Sequence, residues 1–149
     1  MNVKRILFPG TFDPFTVGHQ SLVKRALCIA DKIIIAIGVN ETKKSLFSIE
    51  KRFETITLLY KDEPRIKVMT YNCLTVDFAK EVNADFILRG VRSISDFEYE
   101  KTLADVNRRL TGIETLVLFS EPEYTHISSG MIRELIHYEK DISDYIPKI

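Results

Sequence analysis

The sequence has no excess of charge of either sign and no long apolar run. Lys plus Arg and Asp plus Glu each number 21, so the formal net charge is zero. A general nucleic-acid binder carries a net basic surface, and the balance argues against that class. The longest apolar run, residues 33–37, is far shorter than the roughly 20 residues of a membrane-spanning helix. We therefore expect neither a nucleic-acid nor a membrane partner.

Cysteine is scarce as well. Cys28 and Cys73 are the only two cysteines in 149 residues, and neither has a Cys or His neighbour at metal-ligand spacing. Two cysteines in a chain long enough to bury an ordinary core are typical of reduced thiols. The first ten residues also lack the apolar stretch of a secretory signal peptide. We expect a cytoplasmic protein that does not use zinc.

Short β-rich runs alternate with longer amphipathic segments. The predicted strands are residues 5–9, 32–39, 66–71, 85–88 and 115–119, and the predicted helices are 19–30, 49–60, 76–82, 96–110 and 129–138. Most of the strands are almost continuously apolar, as expected when both sheet faces are covered. The alternating order implies parallel strands with right-handed crossovers. We predict a single α/β domain over residues 1–149, doubly wound and Rossmann-like, with a five-stranded parallel sheet and helices on both faces.

In such sheets, ligands bind beyond the carboxyl ends of the strands. The segments that follow the predicted strands are rich in glycine, hydroxyl side chains and cations, and one of them carries a histidine. They are residues 10–19, 40–44, 72–75, 89–92 and 124–130. An edge of this composition suits a phosphate-rich ligand.

The first of these segments, GTFDPFTVGH at residues 10–19, is the most informative. Gly10 permits an unusual turn after a buried strand, and Gly18 leaves the backbone accessible to a ligand. The free N–H groups and the positive end of the following helix favour an anion. Thr16 and His19 are three residues apart and project from the same face of the first turn. The spacing matches neither the G-x-G-x-x-G fingerprint nor a Walker loop.

This segment resembles the first signature of the nucleotidyltransferase superfamily that uses His-x-Gly-His or Thr-x-Gly-His. ISSGMIR at residues 127–133 is similar to its second signature. Thr16 in place of His, RGVR at 89–92 and DFEYE at 96–100 resemble the phosphopantetheine adenylyltransferase family. The four motifs occur in order, and the resemblance spans residues 5–147. It implies transfer of the adenylyl group of ATP to 4'-phosphopantetheine, giving dephospho-coenzyme A and pyrophosphate, by a homohexamer.

The resemblance also implies two adjoining pockets. The ATP pocket would be formed by Thr11, Phe12, His19, Gly90, Val91, Arg92, Glu100, Tyr124, Thr125, His126, Ile127, Ser128, Ser129 and Gly130. The phosphopantetheine pocket would be formed by Thr11, Lys43, Thr75 and Arg89. His19, Lys43 and Arg92 would be catalytic. His19 would donate a hydrogen bond to the α-phosphate in the transition state, and Lys43 would contact both substrates.

Several of these residues have simpler interpretations. Arg89 and Arg92 could form a solvated charge pair, and Lys43 and Lys44 a solvated loop pair. Thr75 could cap a helix. Glu100 could belong to the charged face of its helix.

Two positions depart from the family pattern. Gly130 stands where a third Ser is usual, which removes one hydroxyl but keeps the backbone N–H. Cys73 stands where an acidic residue is frequent, so recognition of pantetheine would differ there. Neither departure removes a catalytic group.

The predicted reaction needs no protein nucleophile, because the pantetheine phosphate is already anionic at pH 7, with a second pKa of about 6. Mg²⁺ is expected with ATP, held mainly by the phosphates, since no Asp-x-Asp pair follows a strand. Two alternatives stay open. One is a transferase of the same superfamily acting on another phosphorylated acceptor, such as glycerol phosphate or nicotinamide mononucleotide. The other is a non-enzymatic nucleotide-binding module.

Overall fold

Residues 2–149, which the computed structural model describes, contain a sheet of five parallel strands. The strands are β1 Arg5–Gly10, β2 Lys32–Gly38, β3 Ile66–Tyr71, β4 Phe86–Val91 and β5 Glu114–Phe119. Their order in the sheet is β3-β2-β1-β4-β5, and every neighbouring pair is parallel. The crossover direction reverses between β1 and β4. A doubly wound sheet binds its ligands beside such a reversal.

Five α-helices alternate with the strands in the described part of the chain. They are α1 Val17–Ala26, α2 Ile49–Leu59, α3 Thr75–Glu81, α4 Ile94–Thr111 and α5 Ser129–His137, and a short 3-10 turn, Pro122–Tyr124, precedes α5. Side-chain caps fix several of their starts: the hydroxyls of Ser48, Ser93 and Ser128 each accept a backbone N–H of the following turn. The predicted α/β class and parallel sheet are confirmed.

The boundaries differ from the prediction at β4 and α1. Strand β4 continues through Arg89, Gly90 and Val91, because all three pair with β5. The sequence pattern placed these residues in a loop, since an arginine and a glycine interrupt the apolar run. Helix α1 ends at Ala26, four residues earlier than expected, and a turn leads into β2.

The core has two halves, one on each side of the sheet. Alternate residues of β2 point to opposite faces, so Ile33, Ile35 and Ile37 pack with α1 and α2. Ile34 and Ala36 pack with α3 on the other face, where α3 contacts α4. This double coverage explains the uninterrupted apolar pattern of β2. Strand β3 lies at an edge, which explains its weaker pattern.

Gly90 is required for the packing of α1 on β4. A Cβ atom at this position would lie 2.5 Å from Cδ1 of Leu22, whose side chain is buried. We predict that Gly90→Ala lowers the free energy of unfolding by about 1–3 kcal/mol, because the core must absorb an overpacked methyl group. Urea unfolding measures this. Gly130→Ala is the matched control, since its Cβ would meet nothing closer than 3.6 Å, and it should leave stability unchanged or raise it by up to about 1 kcal/mol.

The apolar stripe of α4 formed by Leu103, Val106 and Leu110 lies largely on the surface. Val106 is 49% exposed and Leu110 is 59% exposed, whereas Leu103 is partly buried. Val106 and Leu110 therefore do not serve the core of this chain. Both cysteines are free and exposed. No helix among residues 2–149 has the length and apolar character needed to cross a membrane.

Candidate active site

Two cavities open at the carboxyl-terminal edge of the sheet, beside the reversal between β1 and β4. The first has a volume of about 440 Å³ and lies between the β1–α1 loop, β4, the start of α4 and the start of α5. The second, of about 460 Å³, lies between β1, the β2–α2 loop and the β3–α3 loop. Gly10, Thr11, Lys43 and Arg89 line both cavities. The two cavities therefore meet at these four residues, which we call the junction.

Side chains from other elements hold the β1–α1 loop in place by donating hydrogen bonds to its carbonyl groups. Arg52 Nη1 donates to Thr11 O (2.7 Å), Arg133 Nη1 to Asp13 O (2.8 Å) and Ser129 Oγ to Pro14 O (2.8 Å). Just before the loop, Arg89 Nη1 donates to Pro9 O at the end of β1 (3.0 Å). By contrast, the N–H groups of Thr11 and Phe12 have no acceptor within residues 2–149. Successive free N–H groups in a loop of this kind form an anion-binding site.

The unusual turn after β1 depends on both Gly10 and Phe12. The left-handed residue is Phe12, with φ of 51°, whereas Gly10 has no positive φ and ends β1. Gly10 is needed for space, because a Cβ there would lie 2.8 Å from Cζ of the Phe12 ring. Gly10 thus permits the unusual turn by leaving space for the Phe12 ring, and not through a positive φ of its own. The turn occurs two residues later.

The amino ends of α1 and α5 both open onto the first cavity. Gly18, Ser129 and Gly130 line it, and their backbone N–H groups have no acceptor among residues 2–149. The N-cap residues Thr16 and Ser128 keep both first turns in shape by accepting the N–H groups of His19 and Met131. Two positive helix ends and unpaired donors make this wall of the cavity suited to a polyanion.

His19 is held as a neutral hydrogen-bond donor. The Thr16 N–H donates to its Nδ1 at 3.0 Å, which assigns the remaining ring proton to Nε2. The rings of Phe12 and Phe15 pack against the imidazole at centroid distances of 5.0 and 5.3 Å. Burial, with the positive charges of Arg89 and Arg92, lowers the pKa of His19 to about 4. At pH 7 the imidazole can therefore donate from Nε2 without carrying a charge.

The lowered pKa of His19 predicts a pH-dependent stability. The unfolded histidine has a pKa of about 6.5 and the folded one of about 4, so the unfolded chain binds more protons between these values. The free energy of unfolding should therefore fall as pH is lowered from about 6.5 to 4, and the contribution is fully present above that window. Urea unfolding across pH 4–7 measures the slope. His19→Gln should flatten it, and His126→Gln, at an exposed histidine, is the control.

The cationic side chains of the site differ in how strongly they are paired with carboxylates of the protein. Arg89 forms a two-point ion pair with buried Glu100 (2.9 and 2.7 Å), so the solvated-pair interpretation of Arg89 is wrong. Arg92 lies 3.5 Å from Asp96 and keeps a side chain that is 40% exposed. The Lys43 ammonium has no hydrogen-bond or ion-pair partner within residues 2–149. Lys43 is therefore the cation at the junction that is available to a ligand.

The acidic residues of the first cavity are already engaged. Asp13 accepts the N–H groups of Leu46 and Phe47, and Asp96 accepts the Arg92 N–H. Glu100 accepts from Arg89, so its predicted contact with adenosine would have to form alongside this ion pair. Among residues 2–149, no three His, Cys, Asp or Glu side chains are grouped so that they could hold a metal ion.

The structure brings most of the predicted residues together. All four residues predicted for phosphopantetheine line the second cavity. Three of those predicted for ATP do not line the first: Val91 is buried in the core, the Thr125 hydroxyl donates to Glu121 O, and His126 is exposed. Thr75 is not a helix cap, since Leu74 occupies that position and the Thr75 hydroxyl pairs with Tyr71 at 2.9 Å.

Sequence reasoning gave no role to three residues that hold the β1–α1 loop. Asp13 and Arg133 lie inside the two motifs, but neither motif shows what they contact. Arg52 precedes Ile56 by one helical turn and so occupies the buried face of α2. A cation on an apolar face was the available signal.

Comparison with known proteins assigns this chain to one class. A sequence model described as cytidylyltransferase-like matches residues 7–135, from β1 into α5. A solved bifunctional NMN adenylyltransferase/ADP ribose pyrophosphatase from Francisella tularensis has a TM-score of 0.70 at 15% identity, over 97% of this chain and 44% of that one. A lipopolysaccharide core biosynthesis protein from Thermoplasma volcanium has a TM-score of 0.59 at 19% identity, over 80% and 98%. The class is that of the cytidylyltransferase-like nucleotidyltransferases.

Other relatives are far more similar in sequence. The phosphopantetheine adenylyltransferase of Bacteroides thetaiotaomicron is 61% identical over 146 residues, which cover 98% of this chain and 97% of the relative. The enzyme of the same name from Flavobacterium psychrophilum is 46% identical with the same coverage. The chain therefore belongs to the phosphopantetheine adenylyltransferase family.

Proposed function

We propose that this chain transfers the adenylyl group of ATP to 4'-phosphopantetheine and releases pyrophosphate and dephospho-coenzyme A. The names of its relatives support the substrates. The observation that carries the proposal is the junction, where two cavities of similar size meet at Gly10, Thr11, Lys43 and Arg89. A transferase with two phosphorylated substrates needs such a meeting point.

The first cavity suits ATP. Its wall contains the free N–H groups of Thr11, Phe12 and Gly18 and the open end of α5, which together can bind the triphosphate. Gly90 and Arg92 line the β4 side of the same cavity and would contact the nucleoside. The second cavity takes phosphopantetheine, with its phosphate at the junction and its pantetheine arm toward Tyr71 and Leu74.

In the reaction, a phosphate oxygen of phosphopantetheine attacks the α-phosphorus of ATP in line with the departing pyrophosphate. One P–O bond forms at the α-phosphorus while the bond to the bridging oxygen of pyrophosphate breaks. The acceptor is already anionic, so the barrier comes from bringing two anions together and from charge that grows on the α-phosphoryl oxygens. His19 Nε2–H and the Lys43 ammonium stabilise that charge, and the two cavities align the reactants.

Magnesium enters as part of the nucleotide substrate. The three carboxylates of the first cavity, Asp13, Asp96 and Glu100, already accept hydrogen bonds or ion pairs from the protein. Phosphate oxygens and water are the ligands that remain for Mg²⁺, which commonly keeps several waters. The ion would offset the charge of the triphosphate when it is bound.

We also propose that the chain works in the cytoplasm as a homohexamer. Support for association comes from Val106 and Leu110, two apolar side chains that are exposed one helical turn apart on α4. Apolar residues left together on one surface commonly mark an interface. Light scattering of the purified protein measures the number of chains, and a monomer would contradict the proposal.

An acceptor panel tests the proposed activity. The purified protein is incubated with ATP, Mg²⁺ and one of three acceptors: phosphopantetheine, glycerol phosphate or nicotinamide mononucleotide. Pyrophosphate release with phosphopantetheine alone supports the proposal. Release with another acceptor alone would assign the chain to a different transferase activity. Binding of ATP without release with any acceptor would indicate a nucleotide-binding module.

A further inference from the structure

Two buried charged residues connect the β1–α1 loop to the loop that carries Lys43. Asp13 is 3% exposed and Arg52 is 8% exposed, and within residues 2–149 the two do not form an ion pair with each other. Burying a charge without hydrogen bonds is costly, so each must be stabilised by other groups. Their partners show what the two side chains hold together.

Every hydrogen bond of the two side chains joins these two loops or the start of α2. Asp13 Oδ2 accepts the Leu46 N–H and Oδ1 accepts the Phe47 N–H, both at 2.8 Å. The bonds donated by Arg52 go to Phe47 O and Ser48 O from Nε, to Thr11 O from Nη1 and to the Ser45 hydroxyl from Nη2. The Asp13 carboxylate thus holds the backbone N–H groups of the lysine-bearing loop, and the Arg52 guanidinium holds a carbonyl and a hydroxyl of the same loop.

Lys43 lies in a short segment that is fixed at both ends. On one side, Asn40 accepts the Lys43 N–H through its backbone carbonyl (3.1 Å) and the Thr42 N–H through its side chain. On the other side, Ser45 and Leu46 are held by Arg52 and Asp13. The backbone of Lys43 is therefore fixed in position, while its ammonium has no partner in the described part of the chain and is available to a ligand.

We propose that Asp13 and Arg52 are positioning residues for adenylyl transfer. They place the Lys43 ammonium at the junction, and the bond from Arg52 to Thr11 O also fixes the free N–H groups of the β1–α1 loop. The inference rests on the proposed function, because it concerns the rate of that reaction. A displacement of about 1 Å in such a group lowers a rate on the order of 10²-fold.

A double-mutant cycle separates positioning from a purely structural role. Asp13→Asn keeps the volume of the side chain but replaces one acceptor oxygen by a donor that faces an N–H group. We expect kcat to fall on the order of 10–10²-fold, with the Kd of a non-hydrolysable ATP analogue within about threefold of the wild-type value. In a Lys43→Ala background the same change should lower kcat by no more than about threefold, because the group it positions is gone.

Two further variants keep the test decisive if Asp13→Asn is unstable. Arg52→Lys retains the charge but cannot reach all of the acceptors that Arg52 contacts. Ser45→Ala removes a single contact. For both variants we expect a smaller loss of kcat than for Asp13→Asn. Lys51→Gln, at the exposed residue beside Arg52, is the matched control and should keep the wild-type kcat. Thermal melting of each variant is measured alongside.

The outcomes of this experiment are distinct. If wild-type protein does not adenylylate phosphopantetheine, the proposed function fails and the inference with it. If wild type is active, but folded Asp13, Arg52 and Ser45 variants keep kcat, the inference alone is overturned. Equal losses from Asp13→Asn with and without Lys43 would also overturn it, since the effect would not pass through Lys43.

Discussion

Replacement of His19 by alanine should lower kcat on the order of 10²–10³-fold, which is the usual effect of losing one donor to a developing oxyanion. Nδ1 of His19 is occupied by the Thr16 N–H, so Nε2 is the nitrogen that faces a ligand as a donor. Several unpaired backbone N–H groups line the same cavity and would also bind the triphosphate, so the Kd for ATP should rise by much less than kcat falls. Initial rates and calorimetric ATP titration measure the two quantities.

His19→Gln is the matched control for this change. Its amide N–H can reach about the position of Nε2, so we expect it to recover part of the lost rate. A folded His19→Ala protein in which ATP affinity falls as far as kcat would contradict the account. His19 would then be a binding residue, without a special role in the transition state.

Replacement of Lys43 by alanine should lower kcat on the order of 10²-fold and raise KM for phosphopantetheine. Lys43 lines both cavities, and its ammonium has no hydrogen-bond or ion-pair partner among residues 2–149, so it could bridge the two phosphates as they approach. Lys43→Arg keeps the charge and should recover part of the activity. Steady-state kinetics with each substrate varied in turn measure these effects.

Lys44 provides an adjacent control of the same charge. It is exposed and lines neither cavity, so Lys44→Ala should keep wild-type kinetics. An equal effect of the two substitutions would mean that the loop acts through its general charge. The role assigned to Lys43 would then be wrong.

The fold could be predicted from the sequence because the strands are covered on both faces. Residues 33–37 are apolar without interruption, and no other structure explains that pattern as simply as a buried parallel strand. Strand β4 was predicted too short, because its last residues include Arg89 and Gly90. Arg89 lies in the strand with its charge satisfied by Glu100, and Gly90 gives space to Leu22. Both residues fit the strand because of tertiary contacts, which leave no signal in the local sequence.

The sequence could predict which residues form the candidate site, but it could not predict the contacts that hold them in place. Thr11, His19 and Ser129, which lie in the motifs, and Lys43, which the resemblance implied, line one cavity. The groups that hold the β1–α1 loop were not predicted, because their partners are distant in sequence: Ser129 contacts Pro14 across 115 residues. The left-handed conformation of Phe12 was not predicted either, since side chains other than glycine rarely adopt it and the surrounding contacts must impose it.

One departure from the family pattern can now be placed in the structure. Gly130 lies at the open end of α5, where a side chain would meet Arg133 no closer than 3.6 Å. The position therefore has room for the Cβ atom of the usual serine. Since the Gly130 N–H is unpaired among residues 2–149, the anion site at this helix end is kept without that hydroxyl.

The stereochemistry at the α-phosphorus tests the central claim, which is direct transfer between two substrates at the junction. The substrate is ATP made chiral at the α-phosphorus with sulfur and an oxygen isotope, and the configuration of the adenylylated product is determined by phosphorus NMR. A single in-line displacement predicts inversion of configuration. Retention would require two displacements through a covalent adenylyl-enzyme, and it would contradict a site whose contribution is alignment and electrostatic stabilisation.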